Sequence, residues 1–253
     1  MSGKARRHTI LRSPYFFRQL GLSRGLQTIG RFLAEPEELL EVPVPGSAGH
    51  VLVRGASSDR RCYSQVFMQQ EYAIDYGFEP EVIIDGGANV GFAAVYFAER
   101  FPGARIVSVE PEESNYALLE RNVAPYANVT PVRGAIWWKK ETLCFRDPNA
   151  AKWSFEVEAG DDAQAGDVAI EAFTVPELLA MVGADEAGLL KLDIEGAELG
   201  LLQHADAWKP QVRAMVIELH EYKQAGIDAA FEAVAQGALS RRRVGENHYV
   251  RFR

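Results

Sequence analysis

The chain has 253 residues, 47% hydrophobic and 25% charged, with two cysteines and a net charge of −8. That length buries a sizeable core without disulfide or metal staples, as one large α/β domain or one domain with a small attachment. The acidic total argues against nucleic acid as a partner, no apolar run approaches the ~20 residues of a membrane span, and Cys62 and Cys144, in no CxxC pair, read as reduced thiols of a cytoplasmic protein.

The charge is uneven. Residues 1–34 hold Lys4, Arg6, Arg7, Arg12, Arg18, Arg24 and Arg31 with no acid. They faintly resemble a transit peptide, but they lack the uninterrupted apolar stretch of a secretory signal. The expectation is a basic arm and link over 1–49, mobile or packed as a helix, ending in the Pro/Gly-rich Glu41–Gly49. The folded domain then spans 50–253, with "HVLVRG" as a short strand.

From Val82 the pattern alternates. Val82–Asp85 reads as a strand, Asn89–Phe101 as a helix stopped by Pro102-Gly103, and Arg105–Glu110 as a strand. Glu112–Val123 reads as a helix with Pro111 at its start, and Asn128–Trp137 as a third strand. "WWKKETLCF" suggests a hairpin, Asp147–Asp167 an acidic loop and Val168–Phe173 a strand. Thr174 with Glu177 fits a capping box. Leu189–Asp193 and Val212–His220 read as strands, each followed by a helix. "SRRRV", a "GEN" turn and "HYVRFR" close as an antiparallel hairpin. Such alternation means βαβ units and a mainly parallel sheet, with ligands beyond the carboxyl ends of the strands. Asp85, Glu110, Asp193 and Glu218 with His220 all fall at such ends.

The turn "DGGANVG" (85–91) is close to a dinucleotide fingerprint, with Ala88 where the middle glycine belongs. Asp85 before the turn would repel a pyrophosphate. It would suit a cationic ligand, and S-adenosylmethionine, with an ammonium, a sulfonium and no phosphate, is one. Glu110, at the next strand tip, is placed for ribose hydroxyls, a position that fits NAD equally.

These residues, with "VEPEESNYALLERNV" (109–123), "GAIW" (134–137), "LLKLDIEGAELGLL" (189–202) and "MVIELHE" (215–221), resemble the FkbM-type S-adenosylmethionine-dependent methyltransferases. "SSD" and "VFMQQEY" (66–72) look like that family's lead-in. The resemblance covers roughly residues 50–253. It implies a class I methyltransferase (Rossmann-like) fold, an α/β seven-stranded mainly parallel sheet with the last strand antiparallel. By motif it carries cofactor binding onto Asp85, Gly86, Asn89, Gly91, Glu110 and Asn115, and places adenine near Ala135; Gly87, where the commoner family form has Val, and Asp193 are read as cofactor-binding beside them.

Methyl transfer needs an aligned acceptor and, for a hydroxyl, a base. Asp193, His220 and Glu218 sit on two neighbouring strand tips. His220 is the favoured base, since imidazole titrates near neutral pH. Asp193 touches the cofactor or orients the acceptor, and Glu218 orients His220 or sits in a salt bridge. The three could instead share a divalent cation. Lys191 reads as a buried partner of Asp85, Glu195 as a first-turn helix acid, and Trp137, Trp138 and Trp153 as core or as a pocket mouth. The expected reaction is O-methylation of a sugar, glycolipid or secondary metabolite, that is, a small-molecule or carbohydrate acceptor. The alternatives are N-methylation, including of a peptide side chain, a nicotinamide-dependent oxidoreductase, and a non-catalytic binding module.

Overall fold

The computed structural model describes residues 13–34, 38–145, 157–159, 168–194, 197–222 and 225–253. Helix α1 (Ser13–Ala34) bends at Gly21, whose φ of 74 and ψ of 173 are not helical. It turns Phe16, Leu20 and Phe32 inward. Phe16 and Phe32 meet the ring of Tyr63 at 6.3 and 5.9 Å between centroids. Strand β1 (Leu39–Pro43) pairs antiparallel with β2 (His50–Arg54). Leu40, Val42, Val51 and Val53 alternate inward along it. The short helix α2 (Asp59–Tyr63) continues into a π-helical turn, Ser64–Met68.

The segment Glu41–Gly49 is therefore not a link. Its first residues are strand and the rest is the turn of a hairpin. A division at residue 49 cuts both that hairpin and one hydrophobic cluster, which joins Phe16, Phe32 and Val42 to Phe92 and Leu119. Lys4, Arg6, Arg7 and Arg12 lie outside the described residues.

The alternating part follows as β3 (Val82–Gly86), α3 (Phe92–Arg100), β4 (Arg105–Glu110), α4 (Glu113–Val123) and β5 (Val129–Arg133). Then come β6 (Ala135–Ile136), β7 (Thr142–Phe145), β8 (Val157–Ala159), β9 (Val168–Phe173) and α5 (Val175–Met181). The chain closes with β10 (Ala187–Leu192), α6 (Glu198–Gln203), β11 (Val212–Glu218), α7 (Ile227–Ala235), β12 (Ser240–Val244) and β13 (Asn247–Arg251). The main sheet has seven strands in the order β12-β13-β11-β10-β3-β4-β5. It is parallel from β11 to β5, and β13 runs antiparallel to both its neighbours. This is the sheet expected from the sequence.

Strand alternation explains the two layers of core. Ile83, Ile106, Leu189 and Val216 face α3, α4 and the N-terminal layer. Ile84, Val107, Leu190 and Ile217 face α5, α6 and α7. Because both faces are covered, the strands read as unbroken apolar runs. Each such side chain stabilises the fold by about 1.5–3 kcal/mol on burial.

The stretch expected as one strand, Asn128–Trp137, is two. Val129–Arg133 belongs to the main sheet, while Ala135–Ile136 joins β9 in a second, four-stranded sheet ordered β6-β9-β7-β8. Gly134 makes the crossing possible, since a Cβ there would lie 2.5 Å from the Phe173 ring and 2.7 Å from the Glu171 carbonyl oxygen. Thr142–Phe145 pairs with β8 and β9, not with the tryptophan pair. The Thr174–Glu177 capping box is formed. Among the described residues no helix is long and apolar enough to cross a membrane.

Candidate active site

The turn after β3 folds against the end of β10. Gly87, Asn89 and Gly91 hold φ of 72, 51 and 88, the left-handed region. A Cβ on Gly87 would lie 1.8 Å from the carbonyl oxygen of Asp193, so only glycine fits there. The N–H groups of Gly87 and Ala88 donate to the Val109 carbonyl at 3.0 and 2.9 Å. Gly91 serves packing: a Cβ there would meet Leu119 at 2.7 Å.

Lys191 stands beside Asp85 in register. Its Nζ lies 3.1 Å from Asp85 Oδ1 and donates to the Gly87 carbonyl at 2.7 Å. Burial alone would pull this ammonium down, but the charges of Asp85 and Asp193 outweigh it and hold Lys191 above its ordinary value. Asp85 is wholly buried. Its charge is spent on Lys191, so the repulsion it was expected to exert on a pyrophosphate is largely neutralised.

Glu110 closes the other side. Its Oε2 accepts from the Asn89 N–H at 2.8 Å, and its Oε1 from the Glu112 N–H at 3.0 Å and Asn115 Nδ2 at 3.4 Å. It is 4% exposed. Burial pushes its carboxyl up to about 7, against the pull of those three hydrogen bonds. Among the described residues, the buried Asn89 Oδ1 meets no hydrogen-bond partner.

A cavity of about 440 Å³ opens over these groups, within the range for small-ligand sites. Of the residues carried over from the sequence, Gly87, Asn89, Glu110, Asn115, Ala135, Asp193, Glu218 and His220 line it. Asp85, Gly86 and Gly91 do not. They shape the turn from behind. Val109, Ile136, Leu143 and Ile170 form an apolar wall beside Ala135.

The opposite wall is polar. His220 is 3% exposed, and its Nδ1 lies 2.6 Å from Oε1 of Glu198, which is wholly buried. Its Nε2 faces Glu218 Oε1 at 3.5 Å and Asp193 Oδ1 at 3.9 Å. Asp193, Glu218 and His220 each present a ligand atom within 4.8 Å of the others. Sequence reading missed Glu198, although it lies inside "KLDIEGAE"; a carboxylate on a helix otherwise apolar toward the core was the available signal.

Trp137 and Trp138 are not at the mouth. Trp137 packs on Gly200, and Trp138 stacks on His204 at 3.8 Å. Trp153 and Glu195 lie outside the described residues. Tyr222, 79% exposed, stands at the rim. The N-terminal layer adds Ser58, Arg61, Cys62 and Gln65. Arg61 and Gln65 reach Glu246 of the β12–β13 turn at 3.4 and 3.1 Å. Burial, with the charge of Asp193, raises the Cys62 thiol to about 12, which keeps it protonated and unreactive.

A seven-stranded sheet with this order, a glycine turn after its first parallel strand and an acid at the tip of the next is the class I methyltransferase fold. A model of the Methyltransferase FkbM domain matches residues 85–241, and the chain belongs to that family of S-adenosylmethionine-dependent methyltransferases. AMB antimetabolite synthetase AmbE of Pseudomonas aeruginosa is 25% identical over an alignment of 240 residues that covers 79% of this chain and 11% of AmbE. Methyltransferase sdnD of Sordaria araneosa is 27% identical over 69% of this chain and 79% of its own length. The 31-O-demethyl-FK506 methyltransferase FkbM of Streptomyces tacrolimicus is 25% identical over 75% and 84%. Among solved structures, methyltransferase FkbM from Methylobacillus flagellatus aligns with 96% of this chain and 59% of its own, at 16% identity and a TM-score of 0.47.

Proposed function

We propose that the chain transfers a methyl group from S-adenosylmethionine to a hydroxyl of a small molecule or carbohydrate, such as a sugar, glycolipid or secondary metabolite. The cofactor, when bound, supplies an electrophilic methyl on a sulfonium. The residues present fit it. Glu110 has acceptor capacity for a ribose diol, the apolar wall beside Ala135 suits adenine, and Gly87 and Asn89 leave room for the methionine part.

The observation that carries the hydroxyl reading is the Glu198–His220 pair at the cavity wall. With Nδ1 engaged by Glu198, Nε2 is the ring nitrogen on the side of Asp193 and Glu218, at the cavity wall. A hydroxyl must lose its proton as the new C–O bond forms, and His220 Nε2 is placed to take it. A neutral amine has its lone pair free and needs no such base beforehand. Asp193 and Glu218, beside Nε2, favour the imidazolium that results and can orient the acceptor. The name of the Streptomyces tacrolimicus relative also places its methyl group on oxygen.

A second reading is favoured by the close approach of three ligand atoms: Asp193, Glu218 and His220 share a divalent cation that holds the acceptor. Activity that survives dialysis against a chelator contradicts it.

The test of the main reading is incubation with S-adenosylmethionine and a panel of polyol, sugar and amine acceptors. Products are read by mass and by the carbon shift of the new methyl. An O-methyl product supports the reading; methyl found only on nitrogen sinks it.

A further inference from the structure

The matched family region begins at Asp85, yet Arg54 and Asp59, outside it, are tied to the cofactor side of the cavity. Arg54 ends β2, and Asp59, wholly buried, opens α2. The guanidinium is held in a fork: Nε donates to Asp59 Oδ2 at 2.8 Å and Nη2 to Oδ1 at 2.9 Å. The Arg54 backbone N–H also donates to Oδ2, at 3.0 Å. So fixed, Nη2 donates to Asn115 Oδ1 at 2.6 Å. On its other side, Asn115 Nδ2 donates to Glu110 Oε1 at 3.4 Å.

The chemistry of this line is directional. A guanidinium only donates, and an ionised carboxylate only accepts. Asn115 stands between one of each, so only one orientation of its amide satisfies both. If the amide flipped, its NH₂ would face the guanidinium and its oxygen would face Glu110. Among the described residues, Arg54 is the donor that selects the working orientation from that side.

We propose that Arg54, clamped by Asp59, is a positioning residue for the cofactor site. It sets the amide of Asn115 and through it the carboxylate of Glu110. The N-terminal layer thereby becomes part of the cofactor-binding machinery. This rests on the reading of Glu110 as a cofactor contact.

Binding of S-adenosylhomocysteine to the full chain, measured by calorimetry, tests it with Glu110→Ala as reference. Arg54→Gln should weaken binding roughly tenfold, the scale of one charge-assisted hydrogen bond. Arg54→Lys, which keeps a donor but not the fork, should recover part of that loss. In an Asn115→Ala background, Arg54→Gln should cost less than about twofold more, because its route to Glu110 is already cut. A penalty of equal size in both backgrounds, or wild-type affinity in Arg54→Gln, overturns the relay. Should Arg54→Gln fail to fold, Arg54→Lys in the two backgrounds is judged by the same criteria. Undiminished binding by Glu110→Ala would instead overturn the Glu110 reading beneath it.

Discussion

The carboxylate of Glu198 lies 2.6 Å from Nδ1 of His220, with both side chains buried, and this fixes which ring nitrogen faces the cavity. The pair joins the first turn of α6 to the segment just past β11, 22 residues apart in sequence. Its role as base and orienter gives a paired expectation. His220→Ala should lower turnover by roughly 10²–10⁴-fold, the usual weight of a general base. Affinity for S-adenosylhomocysteine should stay near wild type. Glu198→Gln should lower turnover in the same direction by freeing the ring's orientation. Single-turnover rates on a true acceptor check both, and full activity in His220→Ala refutes the base assignment.

Glu110 gives a pH expectation. Burial raises its carboxyl from 4.5 to about 7. A folded value above the unfolded one means a contribution to stability that is complete below the unfolded value and lost as pH rises through 7. Ribose hydroxyls would favour the ionised form and pull the value back down. Affinity for S-adenosylhomocysteine should therefore fall as pH drops below about 7, with a proton released on binding. Arg54, Glu112 and Lys191 share this environment, and Glu110→Gln should abolish the dependence. Glu110→Ala should cost about 2–4 kcal/mol of binding if both hydroxyls are held. Calorimetry in buffers of different ionisation enthalpy measures the proton.

Gly87 is a steric test. Gly87→Ala places a Cβ against the Asp193 carbonyl at a left-handed φ, so it should destabilise the fold by about 2 kcal/mol or more. Gly46→Ala, also at positive φ but with nothing within 4 Å, should cost only about 1 kcal/mol. Denaturant midpoints of the two variants separate clash from backbone preference.

The N-terminal layer behaves as core. Removing residues 1–40 exposes the ring of Tyr63 and strips β2 of part of its partner strand. Each large side chain lost from Phe16, Leu20 and Phe32 contributes about 1.5–3 kcal/mol. The truncated chain should lose cooperative melting, which calorimetry detects. An unchanged transition would make the helix a dispensable arm.

What the sequence made legible and what it hid have a common cause. Runs such as Val82–Ile84 and Ile106–Val109 are local, and a buried parallel strand announces itself by them. Their tips put Glu110, Asp193 and His220 on one sheet edge with no further information. Lys191 was legible as the buried partner of Asp85, and the sheet order that sets β10 beside β3 puts the two side chains together although they lie 106 residues apart in the chain. The roles of Glu198 and Arg54 were harder to read, since His220 and Asn115 meet them only in the folded chain. The Pro/Gly content of Glu41–Gly49 signals a turn equally well in a link or a hairpin, and the pairing with β2 decides.

The proposed function requires that the cavity over Glu110 and the glycine turn bind S-adenosylmethionine. With the charge of Asp85 neutralised by Lys191, that reading rests on the family match and the fit of the cavity. Titration calorimetry of the full chain against S-adenosylmethionine and NAD, side by side, tests it most directly. Saturable binding of S-adenosylmethionine, weakened in Glu110→Ala, is expected, with no heat from NAD. Saturable binding of NAD with none of S-adenosylmethionine would contradict it.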